Sequence, residues 1–206
     1  MNIEHVAFLV EEPSMEAALR ALLPRILNDA TFEVFPFSGK DELLLRLPER
    51  LRGYSRWLPA SWRIVVIVDR DDDDCHELKR RLESIAEEAG LITRSTARGG
   101  AFAVLNRIAV EELEAWFFGD WEAVRAAYPR VPATIPARAP YRDPDSIAGG
   151  TWEAFERVLA AAGYFQTGLR KIEAARAVAS HMVPERNRSR SFQALERALR
   201  ELGAET

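Results

Sequence analysis

Five carboxylates crowd the segment Asp69-Arg-Asp-Asp-Asp-Asp74. Like charges at this spacing repel one another, so the cluster carries a cost unless cations neutralise it or water solvates it. Asp69 and Asp71, one residue apart, suit a hard divalent cation, Mg²⁺ or Mn²⁺, which takes oxygen ligands in octahedral geometry. Glu11, which ends an earlier apolar run, is a third oxygen donor. Glu114 is a fourth: it lies beside the apolar stripe Val110, Leu113 and Phe117 rather than opposite it, and a carboxylate there needs a partner or a metal. Zinc is disfavoured, because Cys75 stands alone and His5, His76 and His181 show no ligand spacing. Lys171 beside such a site would stabilise charge building on a phosphate.

Each of these residues also has a plainer reading. Asp74-x-x-Glu77 is of the capping-box type, which accounts for Asp74 without any ligand. Asp71 to Asp73 can also be read as a solvated turn. Glu111 and Glu112 read as a solvated helix face, Asp120 as a cap, and Lys171 and Arg190 as surface salt-bridging groups. The five tryptophans read as core or interface rather than base-stacking platforms.

The elements that must position the acids follow from patterning. Ile64 to Val68 is an unbroken β-branched run, which reads as a strand buried on both faces, as in a parallel sheet. Residues 3–10, 31–37 and 91–96 read as further strands, and residues 102–110 open as one. Helices are expected from a Ser14 cap onward, over 40–47 and, after a break at Pro48, to about Trp57. Others are expected from Asp74 to a stop at Gly90, over 110–118, 121–128, 169–181 and 191–202, and from a Thr151 cap to about Ala162. Residues 129–150 hold five prolines and read as a long ordered loop, a lid or a wrap.

Strands alternating with helices indicate a parallel α/β sheet over residues 1–109. Residues 110–206 then form a helical extension packed on it as one compact unit. Ligands of open α/β sheets sit beyond the carboxyl ends of the strands. If the first and central strands are neighbours, Glu11, Asp69 and Asp71 converge there.

Composition sets the outer limits. A chain of 206 residues can bury a sizeable core. The net charge of −4 excludes attraction of nucleic acid or acidic membranes by the molecule as a whole. Residues 170–201, however, carry eight Lys and Arg against four Glu, a basic tail that would suit a polyanion-handling metal enzyme or would simply be solvated. One cysteine permits no internal disulfide and fits a reducing compartment. Neither a signal peptide nor a bilayer-spanning run is visible, so a cytoplasmic protein without a membrane partner is expected.

Val10-Glu-Glu-Pro-Ser-Met-Glu16 and Ile67-Val-Asp-Arg-Asp71 resemble the two halves of a Toprim domain. With Asn106-Arg-Ile-Ala-Val-Glu-Glu-Leu-Glu-Ala-Trp116 and Ser189-Arg-Ser-Phe192, nearly the whole chain resembles the DUF4276 family. That family is similar to the nuclease half of the OLD (overcoming lysogenization defect) proteins and to RloB-like proteins. The resemblance implies a Rossmann-like Toprim sheet flanked by helices, with divalent-metal chemistry on a phosphodiester. Glu11 would be the family glutamate, Asp69 and Asp71 the paired aspartates, and Glu114 a further carboxylate of the family pattern. Glu12 stands where Toprim domains usually have glycine, and Glu16 falls one residue later than the usual second acid.

Three functions are therefore carried forward. The first is a Mg²⁺- or Mn²⁺-dependent nuclease with a role in antiphage defence, with Glu11, Asp69, Asp71 and Glu114 as metal ligands, Lys171 in support, and Glu12 or Glu16 as base. The second is a phosphatase of the haloacid dehalogenase kind with Asp69 as nucleophile, against which Asp72 and Asp73 count. The third is a non-catalytic Toprim-like subunit of a separate ATPase, since the chain has no Walker A sequence. Nucleic acid is the expected partner of the first; a homodimer is compatible with all three.

Overall fold

The computed structural model describes residues 3–27, 29–71 and 73–204; Asp72 of the acidic run lies outside them. Four strands, β1 (His5–Val10), β2 (Thr31–Pro36), β3 (Trp62–Asp69) and β4 (Val104–Ala109), form one parallel sheet in the order β2-β1-β3-β4. The fold is a Rossmann-like α/β arrangement. β1 and β3 are central, and their alternate residues enter two separate cores, as period-two side chains must. Val6, Phe8, Val10, Val65 and Ile67 face one core. Ala7, Leu9, Ile64, Val66 and Val68 face the other.

Helix α1 (Pro13–Leu22) covers the first face through Met15, Ala18, Leu19 and Leu22. Helices α2 (Lys40–Ser55) and α3 (Cys75–Glu88) cover the second through Leu43, Leu47, Leu51, Leu78 and Leu82. The chain thus leaves β1 toward one face and β3 toward the other. Such a divergence between neighbouring parallel strands opens a crevice at their carboxyl ends, the place where doubly wound sheets bind ligands.

The later helices are α4 (Glu114–Gly119), α5 (Trp121–Ala127), α6 (Thr151–Ala161), α7 (Lys171–His181) and α8 (Arg190–Ala204). They pack on the α1 side, and a single apolar cluster runs from Phe8 and Leu19 through Trp116 and Phe155 to Val178 and Leu199. Ala174, Ala175 and Ala179 of α7 are buried against α1, where small side chains permit close helix approach. Arg25 fastens the end of α7 by donating to the carbonyls of Ala179 and Met182.

Several local expectations are corrected. Pro13, not a residue after Ser14, opens α1; proline at the first helical position loses no bond, and the cap is Glu12. Pro48 does not interrupt α2, because burial of Leu43, Leu44, Leu47 and Leu51 on both sides of it outweighs one missing bond. Residues 91–96 make only one bridge, Thr93 to Val104, because Thr93 and Thr96 bond each other in a turn. Helix α4 starts at Glu114 rather than Val110, since Glu111 takes a left-handed φ of 61°. Gly150, not Thr151, occupies the cap position of α6.

Candidate active site

The carboxyl ends of β1 and β3 bring the predicted acids to one edge. Val10 pairs with Ile67 in the parallel register, so Glu11 emerges beside the end of β3. The Glu11 carboxylate accepts the Asp69 amide at 3.0 Å, which ties the two strand ends together. Asp69 is 5% exposed, and its Oδ1 is buried without a hydrogen-bond partner among the described residues. A buried, unpartnered carboxylate oxygen is costly; Glu83 Oε2 and Glu153 Oε2 share that state, and Asp69 differs from them in the carboxylates gathered around it. Burial first, then the carboxylates of Glu11, Glu114, Glu12 and Asp71, holds the Asp69 carboxyl well above its usual range.

Glu114 reaches the same ensemble from the first turn of α4. It is 2% exposed, and burial pushes its pKa to about 7, with Lys171 pulling downward and Glu12 and Glu112 upward. Glu11 is also raised, chiefly by burial. Lys171, at the start of α7, is the matching cation. Its ammonium lies 4.0 Å from Glu12 and 4.9 Å from the centre of the Trp152 ring. Burial alone would lower its pKa, but Glu114, Glu12, Glu112 and Asp69 raise it on balance. Lys171 is therefore part of the acidic ensemble rather than a solvated surface pair.

Asp71 departs from the expected convergence. Its φ is 48°, and its carboxylate meets Lys40 Nζ at 2.6 Å. The same ammonium binds Asp73 at 2.8 Å and donates to the Arg70 carbonyl at 3.0 Å. Burial opposes the charge on Lys40, but these two aspartates raise its pKa on balance. Sequence reasoning missed Lys40 as a site residue. The available signal was its place after Ser38-Gly39 at the end of β2, on the same sheet edge as Glu11.

Other acids prove structural. Glu112 accepts from the Thr151 and Trp152 amides at 2.9 Å and from the Thr151 hydroxyl at 2.8 Å, capping α6 from a distant loop. Glu111 pairs with Arg70. Neither is the solvated helix face expected of it. Asp74 caps α3 by accepting the His76 and Glu77 amides, both at 2.9 Å. Asp120 caps α5 and binds Arg186 through both oxygens at 2.7 and 3.0 Å. Glu16, a candidate base, is engaged by Arg20 at 2.8 Å on α1. The late Ser189 and Ser191 hydroxyls both bond the buried Asp145 at the start of α8.

Two clefts open on this edge and share Asp71. One of about 590 Å³ runs under residues 145–150, and one of about 480 Å³ lies between Glu11 and Lys40. The donor chemistry fits a hard cation: oxygens only, one of them buried without a partner, with excess negative charge. The arrangement is not a closed cage. Among the described residues no group of three or more Asp, Glu, His or Cys stands placed to hold an ion together. One Glu11 oxygen is turned to the Asp69 amide, and Asp71 is turned to Lys40.

Comparison with curated proteins and with solved structures yields no match. Among the described residues no helix is long and apolar enough to cross a membrane. A family of proteins defined by a domain of unknown function, DUF4276, matches residues 10–200, and the chain belongs to that family.

Proposed function

We propose that this protein is a divalent-cation-dependent phosphodiester hydrolase acting on nucleic acid. The observation that carries the reading is the unpartnered, buried Asp69 oxygen at the β1/β3 crevice, surrounded by Glu11, Glu12, Asp71 and Glu114. The resemblance of the segments around Glu11 and Asp69 to a Toprim domain supports the same chemistry. Asp69, Glu11 and Glu114 would hold Mg²⁺ or Mn²⁺ only after closing on one point, with Glu11 turned from the Asp69 amide and Asp71 released from Lys40. When bound, such an ion lowers the pKa of an attacking water and neutralises charge on a phosphate.

The chain's own residues divide the remaining work. Lys171 brings a fixed positive charge to the edge where phosphate oxygens would lie, held by Trp152 and the Glu12 carboxylate. Glu12, at the cap position of α1, is partly exposed and accepts from the Ser14 hydroxyl; its carboxylate would take a proton from water in the crevice. The low-dielectric surroundings of Asp69 and Glu114 strengthen every charge interaction made there.

The Lys40–Asp71 contact favours a second reading, a non-catalytic Toprim-like subunit that works with a separate ATPase, because an internal ammonium already occupies one acid. Cleavage of plasmid and oligonucleotide with Mg²⁺ and Mn²⁺ separates the two. Cutting by the wild type that Asp69→Ala abolishes supports the hydrolase. Equal cutting by both proteins, or none by either, removes it.

A further inference from the structure

The arginines of this molecule are of two kinds. Four of the seven in the tail are occupied: Arg186 by Asp120 and Glu122, Arg200 by Glu185 and Glu196, Arg190 by Asp143, and Arg170 by Glu173. The stretch from α5 into the loop that follows it differs. Residues 123–142 contain Arg125, Arg130, Arg138 and Arg142 and no Asp or Glu. Arg130 and Arg138 from this loop, with Arg157 from α6, surround a cleft of about 350 Å³ floored by Ile135, Tyr141 and Val158. Among the described residues no carboxylate pairs with any of the three.

The cleft is built rather than incidental. Arg130 is fixed by stacking 4.2 Å from the Tyr164 ring centre and by donating to the Gly163 carbonyl at 2.8 Å. Tyr141 is held flat against Phe118, with an interplanar angle of 6°. Three guanidinium groups over an apolar and aromatic floor match a phosphate joined to a planar ring, that is, a nucleotide unit. Helix α6 joins this cleft to the acidic edge. Glu112 caps its first residues there, and Arg157 follows six positions later, about 9 Å along the axis at 1.5 Å per residue.

We propose that the Arg130/Arg138/Arg157 cleft holds a nucleotide unit of a single strand whose neighbouring phosphates lead along α6 to the Asp69 edge. A strand is favoured over a free nucleotide because the acid-free run extends beyond the cleft to Arg125 and Arg142. This inference rests on the hydrolase reading for its direction, and its test is independent of catalysis.

The test is fluorescence anisotropy with a labelled single-stranded 12-mer in EDTA, across a salt series, with AMP as competitor. Arg138 and Arg157 are exposed, so R138A/R157A removes the charge with little structural cost. The double variant is expected to bind about tenfold more weakly, with the salt slope reduced by about 1.4 for two lost single-strand phosphate contacts. Unchanged affinity and slope, or no binding by the wild type, would overturn the proposal. Displacement of the 12-mer by AMP at equimolar concentration would also overturn it, in favour of a free-nucleotide pocket. A protein that binds through these arginines yet never cuts keeps the cleft and loses the hydrolase. Cutting that depends on Asp69, with R138A/R157A binding like the wild type, does the reverse.

Discussion

Two populations of carboxylate share the carboxyl edge of the sheet and its surroundings, and they differ in what the fold gives them. Glu112, Asp74 and Asp120 cap helix ends or bind arginine, and each accepts at least two hydrogen bonds. Asp69 and Glu114 are buried, as Asp120 is, but the Asp69 Oδ1 has no partner among the described residues and both carboxyls sit above their usual range. The first population stabilises the protein; the second destabilises it in its charged form. Folding does not explain the second, which is what a site retained for ligand chemistry looks like.

The contrast predicts opposite signs for charge removal in EDTA. The largest loss is expected for Asp120→Ala, which leaves Arg186 only its exposed partner Glu122 and uncaps α5, and should cost about 2–3 kcal/mol in urea unfolding. A loss under about 1 kcal/mol would put Asp120 outside the structural set.

Glu114 should behave in the reverse way. Its pKa is about 7 in the folded protein against an ordinary 4.5, so the fold holds the extra proton across that interval. Stability from the protonated form is fully present below pH 4.5 and is lost as pH rises to about 7, an effect on the order of 3 kcal/mol. Glu114→Gln should flatten this part of the stability profile and be more stable than wild type at pH 8. A variant with the wild-type slope would break the comparison.

Smaller effects sharpen it. Glu112→Ala should cost about 2 kcal/mol, because three donors at the start of α6 lose their acceptor. Asp74→Ala should lower stability less than Glu112→Ala does, because its cap is exposed. Both are read from urea midpoints. Lys40→Met should tighten Mn²⁺ binding several-fold in calorimetry, by freeing Asp71 and removing a competing charge. Weaker binding would mean that Lys40 supports the site instead of occupying it.

Much of the frame was legible in residue order. The β-branched run Ile64–Val68 is the centre of the sheet, flanked by β1 and β4, because only a strand buried on both faces tolerates such a run. The placement of Glu11 and Asp69 on one edge followed from parallel strands of similar length. The side-chain pairing was not legible. Lys40 meets Asp71 across 31 positions of sequence, and Glu112 finds its amides 39 and 40 positions away, contacts that only the assembled loops create. The pairing within the basic tail was hidden for a related reason: charge counted along the chain ignores the partners that folding supplies, and four of its seven arginines have carboxylates in reach. The acid-free stretch around Arg130 and Arg138 carries the fewer, freer charges.

The central claim is that Asp69 is kept buried and unpartnered for a cation. Isothermal titration of the metal-free protein with Mn²⁺ tests it most directly, comparing wild type with Asp69→Asn after urea unfolding has shown both to be folded. Saturable binding by the wild type that Asp69→Asn loses is the predicted result. Indistinguishable titrations of the two proteins, whether both bind or neither does, would contradict it.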